Sequence, residues 1–208
     1  MKNNILVGVL ALLFLADLIL ITQENLHSLR FFTKPLLVPL ITATYLLDIR
    51  KKATPINRYF LAGLIFSFLG DTFLLFKWAF LPGLGCFLLA HIWYILSFVK
   101  LRKAKMIGSL PFILAYLGCL LFFLHPYLKE MEIPVIVYGV TISTMAYFSL
   151  CTKNKWLISG AILFVISDSL LSFNLFVNYT PIMEQVVMTT YLLAQISLVY
   201  GMTPSKRF

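Results

Sequence analysis

The sequence predicts an all-α, polytopic membrane protein of eight transmembrane helices, arranged as two parallel four-helix repeats with both termini cytoplasmic. Three observations lead there. First, 61% of the 208 residues are hydrophobic and only 12% are charged, against roughly 45–50% apolar residues in soluble domains. A water-soluble globule cannot bury that much apolar surface. Second, the apolar residues fall into runs long enough to cross a hydrocarbon core of about 30 Å, which takes about 20 residues of helix. Third, one polar pattern recurs in two of those runs. Soluble enzymes, disordered chains, coiled coils and secreted disulfide scaffolds are excluded on the same grounds.

The runs are Asn4–Thr22, Phe32–Leu47, Tyr59–Phe76, Gly83–Val99, Met106–Leu124, Ile133–Cys151, Trp156–Val177 and Met183–Met202. Together they leave no room for a soluble domain, so residues 1–208 read as one membrane domain with halves 1–104 and 105–208. The first run starts basic like a signal peptide. Asp17 interrupts it, however, and no small-x-small cleavage site follows, so it reads as an uncleaved helix.

Orientation follows the distribution of Lys and Arg. Thirteen of the 17 fall in segments on one side, three (Arg30, Lys77, Lys129) on the other, and Lys34 lies inside the second helix. The basic side is assigned to the cytoplasm. The formal charge of +9 therefore signals topology rather than nucleic-acid binding. Short loops and the lack of a targeting segment point to a bacterial inner membrane. Cys86, Cys119 and Cys151 form no C-x-x-C pair, which argues against a zinc knuckle or disulfide framework.

The third and seventh helices both read G-x₇-D-[TS]-x-L-x-F, from Gly63 through Asp71 to Phe76 and from Gly160 through Asp168 to Phe173. The helices that follow match as Phe87-Leu-Leu-Ala-His91 and Tyr191-Leu-Leu-Ala-Gln195, placing His91 and Gln195 in equivalent positions. Four helices separate the copies, so the halves should run the same way, related by an axis along the membrane normal.

An acid inside a bilayer costs roughly 2.5–3.5 kcal/mol on insertion scales and needs a reason. Asp71 and Asp168 each stand 13 positions after a basic flank, Arg58 and Lys155. That is about 20 Å into a core of about 30 Å, so both belong to the outer half and should face each other across the seam. Asp17, Lys34, His91, Tyr94, Asn174, Tyr191 and Gln195 are expected near them, with Asp17 and Lys34 as plausible partners. Two carboxyls in one water-poor pocket should divide, one protonated and one ionised, as acid-catalysed cleavage of an ether or acetal requires. A zinc site of Asp71, Asp168 and His91 is the less favoured arrangement, and no metal or other cofactor is expected. A transporter or lipid-handling protein using the same acids is the alternative class.

These residues resemble the YhhN-like lysoplasmalogenase family of eight-helix membrane proteins. The resemblance rests on Lys34-Pro35, on Phe66-Ser67-x-x-Gly70-Asp71, and on Gly83-Leu84-x-x-Phe87-x-x-Ala90-His91-x-x-Tyr94. It continues in Ile166-Ser167-Asp168 with Asn174, and in Tyr191-x-x-Ala194-Gln195. It implies an ether-bond hydrolase that cleaves the vinyl ether of lysoplasmalogens to a fatty aldehyde and a glycerophospho-alcohol. Asp71 and Asp168 would then be catalytic. Lys34, His91, Tyr94, Asn174, Tyr191 and Gln195 would bind or orient a lysophospholipid presented by the bilayer.

Overall fold

A computed structural model describes residues 2–203, and side chains except those at positions 2–4, 24, 27 and 77. Among the described residues the chain is all-helical. The α-helices are α1 (Lys2–Thr22), α2 (Arg30–Lys51), α3 (Arg58–Phe73), α4 (Phe80–Lys100), α5 (Leu110–Leu128), α6 (Glu132–Cys151), α7 (Lys155–Phe176) and α8 (Pro181–Met202). Short 3-10 turns precede α2, α4, α5 and α6. Six stretches are long and apolar enough to cross a membrane: α1, α2, α4, α7, α8 and the continuous Ile107–Cys151, which holds α5 and α6. α3, with 16 residues, is shorter than these. The orientation signals Lys206 and Arg207, and the side chains of Lys2 and Lys77, lie outside the described residues.

The outer surface explains the composition. Phe112, Phe122 and Ile133 are 78%, 77% and 75% exposed, an arrangement suited to lipid rather than water. The chain is an integral membrane protein.

α3 packs most extensively on α4, and α7 on α8. The two helix pairs share local chemistry at matching positions. Asn57 caps α3 by accepting from Phe60 N–H, and its amide donates to Ser97 Oγ at 3.0 Å. Asn154 caps α7 by accepting from Trp156 N–H, and its amide donates to the Gly201 carbonyl at 2.9 Å. A single Asn side chain thus satisfies a free helix-start donor and ties the helix to its neighbour. Gly160 lets α7 and α8 approach closely, since a Cβ there would lie 2.6 Å from Leu198. Gly63 plays the same part against Tyr94.

The helix starts differ from the expected runs by one to four residues, and two of these differences matter for the site. α2 begins at Arg30 rather than Phe32, and α8 at Pro181 rather than Met183. Thr180 caps α8, accepting from Met183 N–H, and Pro181 at the first helical position suits a missing donor. Arg30, counted with the segments between the expected runs, therefore lies within a helix, and Glu184, the second residue of its expected run, lies a turn inside α8.

Candidate functional site

The helix ends remote from the Lys- and Arg-rich segments enclose a cavity of about 850 Å³. Its wall is apolar over most of its extent, with Leu74, Leu84, Val135, Leu171 and Phe176 among the lining. Against that wall stand five charged side chains: Arg30, Lys34, Asp71, Asp168 and Glu184. Such a chamber has the size and character of a small-molecule site, largely hydrophobic with a few convergent polar groups.

Asp71, near the end of α3, and Asp168, two turns before the end of α7, both line this cavity. Asp71 is 3% exposed and accepts a hydrogen bond from Tyr191 Oη at 2.7 Å. A chain of bonds stands behind it. Gln195 Nε2 donates to Tyr191 Oη at 3.3 Å, and Tyr94 Oη donates to Gln195 Oε1 at 3.0 Å. Ser67 Oγ lies 3.3 Å from Tyr94 Oη, and with the phenol proton committed to Gln195 the serine is the donor. Every proton in the series therefore points toward Asp71. The backing is compact because Gly70, next to Asp71, allows Phe87 of α4 to come in close; a Cβ there would lie 2.6 Å from the ring.

Asp168 accepts from Tyr138 Oη of α6 at 2.5 Å. His91 Nε2 stands 3.9 Å from the same carboxylate oxygen, beyond hydrogen-bond range. The imidazole is fully buried, edge-on to Tyr138 and Phe164 at 5.4 and 5.1 Å. Neither ring nitrogen has a well-formed hydrogen bond among the described residues. No group of three or more metal-ligating side chains converges among those residues.

Of the residues expected at the site, Lys34, Asp71, Asp168, Asn174 and Tyr191 line the cavity, whereas His91, Tyr94 and Gln195 pack behind it. The Asn174 side-chain oxygen accepts from Thr180 N–H at 2.7 Å, so it also fixes the turn into α8.

The expected pairing of Asp17 with Lys34 is corrected. Asp17 instead accepts from Arg30 Nε at 3.2 Å and from Thr33 Oγ1 at 2.8 Å. The reason is the earlier start of α2, which places Arg30, Thr33, Lys34, Leu37 and Val38 on one buried stripe at helical spacing. Arg30 also donates to Glu184, whose second oxygen accepts from Tyr179 Oη at 2.8 Å.

Arg30, Tyr138 and Glu184 are thus site residues that sequence reasoning missed. Thr180-Pro181 was a readable cap signal that would have placed Glu184 in a first helical turn. Tyr138 sits in an aromatic-rich apolar run with nothing to mark it.

The YhhN family profile matches residues 29–202 of this chain. The chain belongs to the YhhN family. Several curated relatives of this YhhN protein carry a functional name. Lysoplasmalogenase TMEM86B of Sus scrofa is 31% identical over 148 residues, which cover 69% of this chain and 63% of the relative. The Homo sapiens protein of the same name is 32% identical over 137 residues, covering 64% and 58%. Lysoplasmalogenase of Mycobacterium tuberculosis is 30% identical over 158 residues, covering 70% and 60%. The matches thus span about six tenths of these relatives' lengths. No solved structure matches the chain.

Proposed function

We propose that this YhhN protein is a membrane hydrolase that cleaves the vinyl ether of lysoplasmalogens, with Asp71 and Asp168 as its acid–base pair. The observation that carries the reading is the shared cavity, in which two carboxyls from like-patterned helices face one mostly apolar chamber. The names of the relatives supply the substrate class, and the chemistry suits the residues. A carboxylic acid delivers a proton to the alkenyl carbon distal to oxygen, giving an oxocarbenium ion. The second carboxylate stabilises that cation and takes a proton from the attacking water. The hemiacetal then collapses as the second carboxyl gives its proton to the departing glycerol oxygen and the first takes the hemiacetal hydroxyl proton, releasing a fatty aldehyde and a glycerophospho-alcohol. One water is consumed and both carboxyls return to their starting states. Tyr191 and Tyr138 orient the two acids, and Lys34 in the cavity wall suits the lipid phosphate.

The architecture proposed with this reading has eight crossings in two like-oriented halves, termini on the cytoplasmic side and the cavity in the outer leaflet. The matched capping and bridging by Asn57 and Asn154 supports the halves, and the distribution of Lys and Arg supports the orientation. A single-chain lipid places its ether near the boundary of headgroups and acyl chains, where helix ends are found.

The test is aldehyde release from an alkenyl lysolipid by the purified full chain, beside alkyl-ether and ester controls and with or without EDTA. Cleavage of the vinyl ether alone, unaffected by EDTA and abolished in Asp71→Asn and Asp168→Asn proteins of unchanged helicity, is the expected result. Turnover that survives both substitutions would overturn the roles of the acids. Counterflow of intact lysolipid in liposomes with no product formed would indicate a carrier instead.

A further inference from the structure

The charges at the outer end of the cavity form an unequal set. Arg30 bears one positive charge and faces two carboxylates, Asp17 and Glu184. Asp17 is fully buried behind it and is also held by Thr33. Glu184 stands in the cavity wall, 19% exposed. Of the two carboxylates, Glu184 is the one that borders the cavity. Lys34, 8% exposed and also in the wall, closes no hydrogen bond or ion pair with the described residues, yet acts electrostatically on both Asp71 and Glu184. The cavity wall therefore carries Lys34 as well as Glu184.

Their depths are ordered. Lys34 follows Arg30 by four residues on α2, one turn or about 6 Å further from the helix start. On α8, Glu184 precedes Tyr191, the partner of Asp71, by seven residues or about 10 Å. From the mouth inward the order is Glu184, Lys34, Asp71. A glycerophospho-amine lipid carries its groups in that same order: ammonium, phosphate, ether.

We infer that the outer end of this cavity is a subsite for a zwitterionic headgroup, with Lys34 taking the phosphodiester and Glu184 and the Tyr179 ring taking the ammonium. Tyr179 also lines the cavity and donates its hydroxyl to Glu184, which keeps the carboxylate beside an aromatic face that itself attracts ammonium groups. The subsite deepens the lysolipid reading of the cavity and rests on it. It makes Glu184 a determinant of headgroup preference rather than of the chemical step.

The experiment measures binding by the full chain in detergent micelles. Four saturated 1-O-alkyl lipids, which have no cleavable alkenyl bond, serve as probes. They are the lysophosphoethanolamine, the lysophosphocholine, the methyl phosphodiester lacking an ammonium, and the bare alkylglycerol. Both amine lipids are expected to bind roughly tenfold more tightly than the methyl phosphodiester, the worth of one charge-assisted contact. Glu184→Gln should bring that ratio to within about twofold, and Tyr179→Leu should reduce it by about threefold. Lys34→Met should erase the advantage of the methyl phosphodiester over the alkylglycerol and leave the ratio between the amine lipids and the methyl phosphodiester in place. If Glu184→Gln does not fold, Tyr179→Leu and Lys34→Met carry the test. Equal binding of the methyl phosphodiester and the amine lipids by the unsubstituted protein overturns the inference. So does a ratio that neither Glu184→Gln nor Tyr179→Leu changes. Aldehyde release without the binding pattern defeats the subsite alone, whereas the binding pattern without aldehyde release defeats the hydrolase reading alone.

Discussion

The surroundings of Asp71 and Asp168 differ far more than their sequence contexts do. Both acids close the same G-x₇-D pattern, both helices start on an Asn cap, and both lean on the helix that follows. Asp71, however, ends a series of hydrogen bonds through Tyr191, Gln195, Tyr94 and Ser67, with Lys34 nearby. Asp168 takes one phenol, Tyr138, with an imidazole just out of hydrogen-bond range, and is half-buried where Asp71 is buried. Two aligned positions make the difference: Tyr191, which bonds Asp71, stands where the other pattern has Phe87, and Gln195 stands where it has His91. The amide bridges two phenols, while the ring bridges none. Two like-patterned helices thus place two acids at one cavity, one held through a series of hydrogen bonds and the other by a single phenol.

The largest expected effect tests what the acids share. Asp71→Asn and Asp168→Asn should each lower kcat for vinyl ether cleavage by about 10²–10⁴-fold, the range of a general acid or base, with thermal stability kept. A large loss in only one variant would mean that a single carboxyl suffices.

The phenols sharpen the contrast. Tyr191→Phe should cost about 1–3 kcal/mol of stability, since it strands the buried Gln195 amide donor, and should be visible as a lower Tm in detergent. Tyr138→Phe removes a bond with nothing queued behind it and should cost about 0.5–1.5 kcal/mol, with the loss appearing in kcat rather than KM. Equal Tm shifts would break the asymmetry.

Asn57→Ala and Asn154→Ala address the common part. Each removes a cap and an interhelical bond and should cost about 1–2 kcal/mol. The two values should agree closely if the helix pairs are equivalent units, and calorimetry of the two variants decides it.

The smallest effect is expected from His91→Gln, which recreates at Asp168 the side chain that backs Asp71. Its kcat should change less than about tenfold, the size of a single neutral hydrogen bond. A larger fall would assign the imidazole a role in the chemistry.

Much of this arrangement was legible in the chain. Apolar runs marked the helices, because in a bilayer every backbone polar group must be satisfied within its own segment. The two aspartates stood out because acids are rare there and these share spacing and flanking pattern. Less was legible at the mouth. Arg30 and Glu184 did not stand out because each sits within a turn of a helix start, where hydropathy alone is uninformative. Tyr138 was one aromatic among many.

The sequence by itself determined that this is a helical membrane protein with two acids at matching positions along their helices, because helix length, hydropathy and residue spacing are local quantities. Only the tertiary structure decided that Asp17 meets Arg30 rather than Lys34, that Tyr138 reaches Asp168, and that Lys34 is left to face the cavity. Those partnerships join residues on different helices. They depend on how helices rotate and lean against one another, and close packing at positions such as Gly63, Gly70 and Gly160 sets that angle and distance.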